Sequence, residues 1–316
     1  MIRRAVTLLM AAAAHAAARP AVAQGSGATG AQVLQFNAGA RAAAFSGAYT
    51  AASGDADAIF YNPAGGALQA AVSVGYERYI SDVSFATAAG AFRVGRLSIG
   101  VAGAFLDVGG IDEIVPDPDF GGNTGIPTGN RVSATEAAAR LAVAMPLDAG
   151  RLRLGAAAGF VSTSLADASS SAPLFDIGAQ YDFPFATIGV SLRNLGTALN
   201  GDGMPDADLP AEARLGAALD YQRADGLGGS IHTDLVARLH EGSAGLAFGL
   251  EGGILPTATG IGAVARIGYS AAEGDGGLGA LHAGGSVSLG RFAVDYAYQS
   301  LEYFGSVHRI GIRWRR

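Results

Sequence analysis

No cysteine occurs anywhere in the 316-residue chain. A disulfide framework, a thiol nucleophile and a thiolate-held metal are all excluded by that absence. Lysine is missing too, so all 21 basic residues are arginine. Charge is sparse at 15% of residues, and its balance is acidic at −6. An acidic chain offers no basic face to nucleic acid, whose binding rests on phosphate neutralisation. Beyond the N-terminal region, no apolar run reaches the roughly 20 residues that a membrane-crossing helix requires. Neither a G-x-S-x-G elbow, an H-E-x-x-H helix nor a phosphate-binding loop is present. His232 and Asp234 stand two apart, with nothing placed as a nucleophile between them. The chain reads as a non-enzyme that needs no cofactor.

What is present begins with Arg3 and Arg4, an apolar stretch from Ala5 to Ala18, and Ala21-Val22-Ala23 before Gln24. This is the pattern of a secretory signal peptide, so residues 1–23 are expected to be removed on export. Arg3, Arg4 and Arg19 would leave with it, taking −6 to −9. Glycine supplies 48 of the 316 residues, well above its usual share of about 7%. Those glycines have no three-residue period, which excludes collagen. Half the residues are hydrophobic, which argues against disorder. An all-β chain with its apolar residues spread over many short strands remains.

The periodicity agrees. Val72, Val74 and Tyr76 alternate with Ser73, Gly75 and Glu77, and Leu97 to Phe105 alternate with Ser98, Gly100, Ala102 and Ala104. At the end of the chain, Ile310, Ile312 and Trp314 oppose Arg309, Gly311 and Arg313. A sandwich also alternates. Here, however, segments run to about ten residues, the length of a tilted membrane-crossing strand. Their second face is Gly, Ala and Ser with occasional Arg, Asp and Glu, a poor dry core but a reasonable lumen. Connections alternate between tight turns, such as Val94-Gly95-Arg96, and longer ones, such as Gly109 to Asn130 and Ala166 to Ala172. The expectation is a transmembrane antiparallel β-barrel of about fourteen strands over 70–316, in the bacterial outer membrane and in contact with its lipid.

Residues 24–69 do not alternate. Phe36 to Leu68 is rich in Gly and Ala, with isolated polar points at Arg41, Asp55 and Asn62. Small side chains bury little apolar area but let backbones approach closely, which suits a hatch packed inside the barrel. A buried arginine needs a carboxylate, so Arg41 is expected to pair with one. Asn62-Pro63 suits a turn.

Two acidic stretches carry open readings. Asp112, Glu113, Asp117 and Asp119 lie in the longest connection and serve either its solubility or the docking of a partner. Asp202, Asp206 and Asp208 alternate as calcium ligands do, yet the bidentate Glu of an EF-hand loop is missing. A solvated surface loop is the simpler reading there.

Taken in order, several motifs form a resemblance. They are Gly39-Ala40-Arg41-Ala42, Gly47-Ala48-Tyr49 and Asp55 through Asn62-Pro63-Ala64-Gly65, followed by Ser191-Leu192-Arg193-Asn194-Leu195-Gly196. Leu209-Pro210 with Arg214-Leu215-Gly216, Arg266-Ile267-Gly268-Tyr269 and Asp295-Tyr296-Ala297-Tyr298 with His308-Arg309-Ile310 follow. Together they resemble the PorV/PorQ family of outer-membrane barrels, relatives of the FadL long-chain fatty-acid transporters. Within that family the first group is the hatch, which implies hatch roles for Arg41, Asp55, Asn62, Pro63 and Gly65. The resemblance implies a protein-secretion or surface-attachment component of type IX-like export. Its partners would be secretion-machinery subunits or exported proteins. The alternative is FadL-like transport of a hydrophobic small molecule. Inward positions that are small and polar favour the first, because an apolar cargo wants an apolar pocket. The ending, Trp314-Arg315-Arg316, departs from the final aromatic of such barrels.

Overall fold

A computed structural model of the chain describes residues 29–316, except 67–69, 80–81, 123, 225, 256–259, 272–280 and 302–304. The expected signal peptide lies outside the described residues, as do 24–28 and most of the connections expected at 255–259, 271–279 and 300–304.

The described strands are β1 (Ala71–Arg78), β2 (Ser84–Val94), β3 (Leu97–Pro116), β4 (Gly125–Leu147), β5 (Leu152–Leu165), β6 (Ala168–Phe183), β7 (Ala186–Gly196) and β8 (Asn200–Asp202). They continue with β9 (Glu212–Gln222), β10 (Leu227–Arg238), β11 (Ser243–Ile254), β12 (Ile261–Ser270), β13 (Leu281–Leu289), β14 (Phe292–Leu301) and β15 (Gly305–Arg315). Each pairs antiparallel with its chain neighbour, β7 pairs with β9, and β1 closes on β15. The ring therefore has the expected fourteen strands, with β8 as an extra three-residue strand laid on Ser169–Ser171 of β6.

Closure leaves no free edge, which is what allows strands to cross lipid. The two faces differ as the alternation requires. On β1, Val72, Val74 and Tyr76 stand about half exposed while Ser73 and Glu77 are buried. Every one of the fourteen strands presents large apolar side chains outward, from Val72 on β1 to Ile312 on β15. A water-soluble monomer rarely exposes so continuous an apolar surface. Aromatic side chains stand on this surface along its height. Phe92, Phe183, Tyr221 and Phe292 lie at the tight-turn end, Tyr296 and Phe248 in mid-strand, and Tyr269 at the other end. It is a transmembrane β-barrel.

Two connections differ from expectation. The stretch 109–130 is mostly strand: β3 and β4 run on together past the ring to a tip at 117–124. Their outer neighbours stop earlier, β2 at the partner of Asp107 and β5 at the partner of Ala134. The ladder beyond is bulged after Asp107, where Gly109 has φ 78° and donates its N–H to the Asp107 carboxylate at 2.8 Å. Bulge and glycine read as loop in sequence, yet they bend a hairpin rather than end it. Likewise β6 starts at Ala168, directly opposite Leu165, so the connection expected over 166–172 is a tight turn. Its serines sit in the ladder.

Candidate functional site

Residues 29–66 form short turns and one helix, α1 (Ala40–Ala44). Between them they touch the inward faces of all fourteen strands. Helix α1 packs on β12, β13, β14 and β15, the turn Ala56–Phe60 on β1 to β3, and Pro63–Gly65 on β4 to β6. Ser191 of β7 donates to Tyr61 O, Arg214 of β9 and Asp234 of β10 hold Thr50, and Gly249 of β11 lies under the Phe45 ring. The alanines matter for their size. A Cβ on Gly268 would stand 2.6 Å from Ala44 O, so α1 lies against bare backbone. Phe45, Tyr49, Ile59, Phe60 and Tyr61 are among the segment's large side chains, and all five are buried.

Charge ties this segment to the wall in a closed ring. Arg41 meets Asp55 at 3.3 Å, Asp55 meets Arg313 at 3.6 Å, and Arg313 meets Asp295 at 2.5 Å. Asp295 then meets Arg266 at 2.9 Å, Arg266 meets Glu251 at 2.5 Å, and Glu251 returns to Arg41 at 3.4 Å. Three guanidinium groups and three carboxylates thus alternate. Two members come from the inner segment and four from β11, β12, β14 and β15. Tyr49 adds its hydroxyl to the Asp55 carboxylate, and the Arg41 guanidinium lies 5.6 Å from both the Phe45 and Tyr49 ring centres. A neutral alternating ring satisfies each buried charge twice. Removing one partner of a buried pair costs about 3–5 kcal/mol.

The opposite side is tied by hydrogen bonds. One Asp234 oxygen accepts from Tyr49 N at 3.1 Å, Thr50 N at 3.0 Å and Thr50 Oγ1 at 2.6 Å, and also meets Arg214 at 2.9 Å. Asn62 accepts from Ala64 N and donates to the carbonyls of Thr50, Ala179 and Val190 at 3.0–3.2 Å. Pro63 begins the turn that Asn62 caps, and a Cβ on Gly65 would meet Ala52 O at 2.6 Å. Further along, the Asn-Leu-Gly motif is a bulge, with Asn194 at φ 55° facing Asp176. Asp176 accepts from Asn194 N at 2.6 Å and from Arg140 Nε at 2.9 Å, which buries all three side chains.

Of the residues expected in the hatch, Arg41 and Asp55 thus share one ring, while Asn62, Pro63 and Gly65 form a separate anchor. Sequence reading named Arg266, Asp295, Arg313 and Asp234 without giving them, or Glu251, a place in the site. Each sits at an inward position of a strand whose other face is apolar, and that parity was the available signal. The lumen accordingly carries more charge than the occasional Arg, Asp and Glu expected among Gly, Ala and Ser.

The acidic stretches lie elsewhere. Asp112 and Glu113 are on the projecting part of β3, and Asp117 and Asp119 are at its tip. Asp112 pairs with Arg131 at 3.4 Å. Glu113 accepts from Thr128 Oγ1 and Asn130 Nδ2, and these two bonds hold its carboxyl below the usual range. Asp202, Asp206 and Asp208 do not converge. Asp206 accepts from Asn200, Asp208 faces His240, and no group able to hold a metal occurs among the described residues.

At the long-connection end two cavities meet around Gln35, Glu212 and Arg238. The outer one, of about 170 Å³, reaches His240 and Glu241, and the inner one, of about 50 Å³, reaches Ser46 and Arg193.

No family model matches the chain, and no curated protein does. Solved structures do. The toluene transporter TbuX of Ralstonia pickettii superposes with a TM-score of 0.54 at 15% identity, covering 86% of this chain and 97% of TbuX. The toluene transporter TodX of P. putida gives 0.55 at 11% identity, covering 85% of this chain and 95% of that one. A deltaS2S3 mutant of TodX, a monoaromatic hydrocarbon channel, gives 0.61 at 11% identity, with 89% and 100% covered. The shared property is the fold. These identities carry the fold alone.

Proposed function

We propose that the chain is an outer-membrane transporter that admits small hydrophobic compounds when a hatch, residues 24–69, shifts within the barrel, residues 70–316. The supporting observation is the fold shared, over 85–89% of this chain, with barrels described as toluene transporters and a monoaromatic hydrocarbon channel. In the described state the inner segment touches every strand and the cavities at the mouth are small and polar. Among the described residues these cavities give a hydrophobic solute a polar lining, which does not suit it, so in this reading the segment moves during transport. Purified barrel in proteoliposomes tests this with radiolabelled toluene. Uptake above that of empty vesicles is expected, and equal uptake would end the reading.

A second reading, the PorV-like secretion or attachment component, rests on the projecting β3–β4 hairpin. Asp112, Glu113, Asp117 and Asp119 accompany exposed Ile111, Ile114, Val115 and Ile126 there. Exposed apolar groups held on a rigid hairpin suit a protein partner. Affinity capture from outer membranes tests it. Recovery of secretion-machinery subunits with the intact barrel, and their loss with the hairpin deleted, is the expected pattern.

A further inference from the structure

Basic charge on the outward face of the barrel gathers in one place. Among the described residues of the ring strands, leaving the projecting hairpin aside, only Arg78 and His308 bring a basic side chain to an outward position. They are direct cross-strand partners, Arg78 on β1 and His308 on β15, and Tyr298 of β14 continues the row beyond His308. Such partners hold their Cβ atoms about 5 Å apart. A basic group costs most at the bilayer midplane and little near the interface. This pair stands where the wall ends on that side, since β1 stops at Arg78 and β2 starts at its partner Ser84. Long connections face the exterior in outer-membrane barrels, so the pair meets the headgroups of the external leaflet.

The groups around the pair are donors above and apolar below. The Arg78 guanidinium is 66% exposed, and its carboxylate partner, Asp82 at 2.5 Å, is as open to solvent. An exposed pair of this kind is weak, so another anion can share or replace the carboxylate. The Tyr296 hydroxyl lies 2.7 Å from His308 Nδ1, and the Ser306 hydroxyl lies 3.2 Å from Nε2. Whichever ring nitrogen carries the proton donates to its hydroxyl, which is then free to donate onward. The Tyr298 ring stands edge-on to the imidazole at 5.6 Å. One step further into the membrane, Tyr76 and its partner Ile310 are both about half exposed. A guanidinium forks onto two phosphate oxygens, and the apolar pair suits the acyl chains that such a phosphate carries.

From these features we infer that the β14–β15–β1 face binds the phosphate of an external-leaflet lipid, with Arg78 and His308 at the headgroup and Tyr76 and Ile310 against its chains. The site lies on the outside of the wall and does not depend on what the barrel transports.

Native mass spectrometry of the full mature barrel in detergent, titrated with diphosphoryl lipid A and with the same lipid dephosphorylated, tests it. The phosphorylated lipid should bind about tenfold more tightly than the dephosphorylated one. Arg78→Gln combined with His308→Gln should lose about tenfold in affinity for it. Arg93→Gln, at an exposed arginine of the tight-turn end, should bind as the intact chain does. Asp82→Asn frees Arg78 and should bind severalfold more tightly. Asparagine tolerates the left-handed backbone of Asp82, at φ 69°. Heat-modifiable migration verifies that each variant is folded. Equal affinity for the two lipids, an unchanged double variant, or a loss of the same size in Arg93→Gln would overturn the site. So would an Asp82→Asn barrel that binds no better than the intact chain.

Discussion

Arg41 shows what a single side chain does in this molecule. It is one of three arginines in the closed ring, and it joins Asp55 of the inner segment to Glu251 of the wall. Replacing it with alanine opens the ring and removes a partner from each of two buried carboxylates. Arg41→Ala should therefore lower unfolding stability in detergent by about 3–5 kcal/mol, read from guanidinium titration of the mature barrel. Arg41→Lys should recover only part of the loss, since a compact ammonium does not reproduce the planar fork. Arg41 and Asp55 stand out in sequence because they interrupt a run of small residues. Their partners do not, because Arg266, Asp295 and Arg313 sit in strands where alternation draws the eye to the apolar face. Asn62 was readable as a turn residue from the proline after it. Its three carbonyl acceptors come from residues 12 to 128 positions away, which no local pattern contains.

Among the elements, the β3–β4 hairpin stands apart from the ring that carries it. Past Asp107 and Ala134 it has no neighbour in the ladder, so the wall does not depend on it. Deleting residues 112–131 should leave heat-modifiable migration intact. A barrel that no longer resists boiling differently from the intact chain would show that the hairpin supports the fold. The tip also carries a pH dependence. The Glu113 carboxyl is lowered by its bonds to Thr128 and Asn130, so that support is complete above the ordinary carboxylate range and lost as pH falls through the lowered value. Protease cleavage at the tip should rise on acidification and become insensitive to acid in Glu113→Gln. Sequence placed this element as a loop for a physical reason. Gly109, Gly121, Gly122 and Gly129 all adopt positive φ, and a bulged, glycine-punctuated hairpin has the composition of a loop.

At the scale of the whole molecule, the barrel has two faces with opposite demands. The outward face must meet acyl chains, so Leu141→Arg, at 56% exposure on β4, should destabilise the barrel by about 2–4 kcal/mol if it lies near the bilayer midplane. Refolding titrations into lipid vesicles give that number. The ring of fourteen strands was legible because period-two alternation and turn spacing are local properties. What fills the ring was less so, since its contacts join residues more than a hundred positions apart. The inward face must hold a segment that moves if anything is to pass, and the cysteine-free background makes this directly testable. A Cβ on Gly311 would stand 3.1 Å from that of Ala40, just under the roughly 3.5–4.5 Å of a disulfide, so a shift of a few tenths of an ångström lets oxidation join Ala40→Cys to Gly311→Cys and pin α1 to β15. Toluene uptake into proteoliposomes should fall to background when this bond is closed and return on reduction. Unchanged uptake with the bond closed would contradict the account.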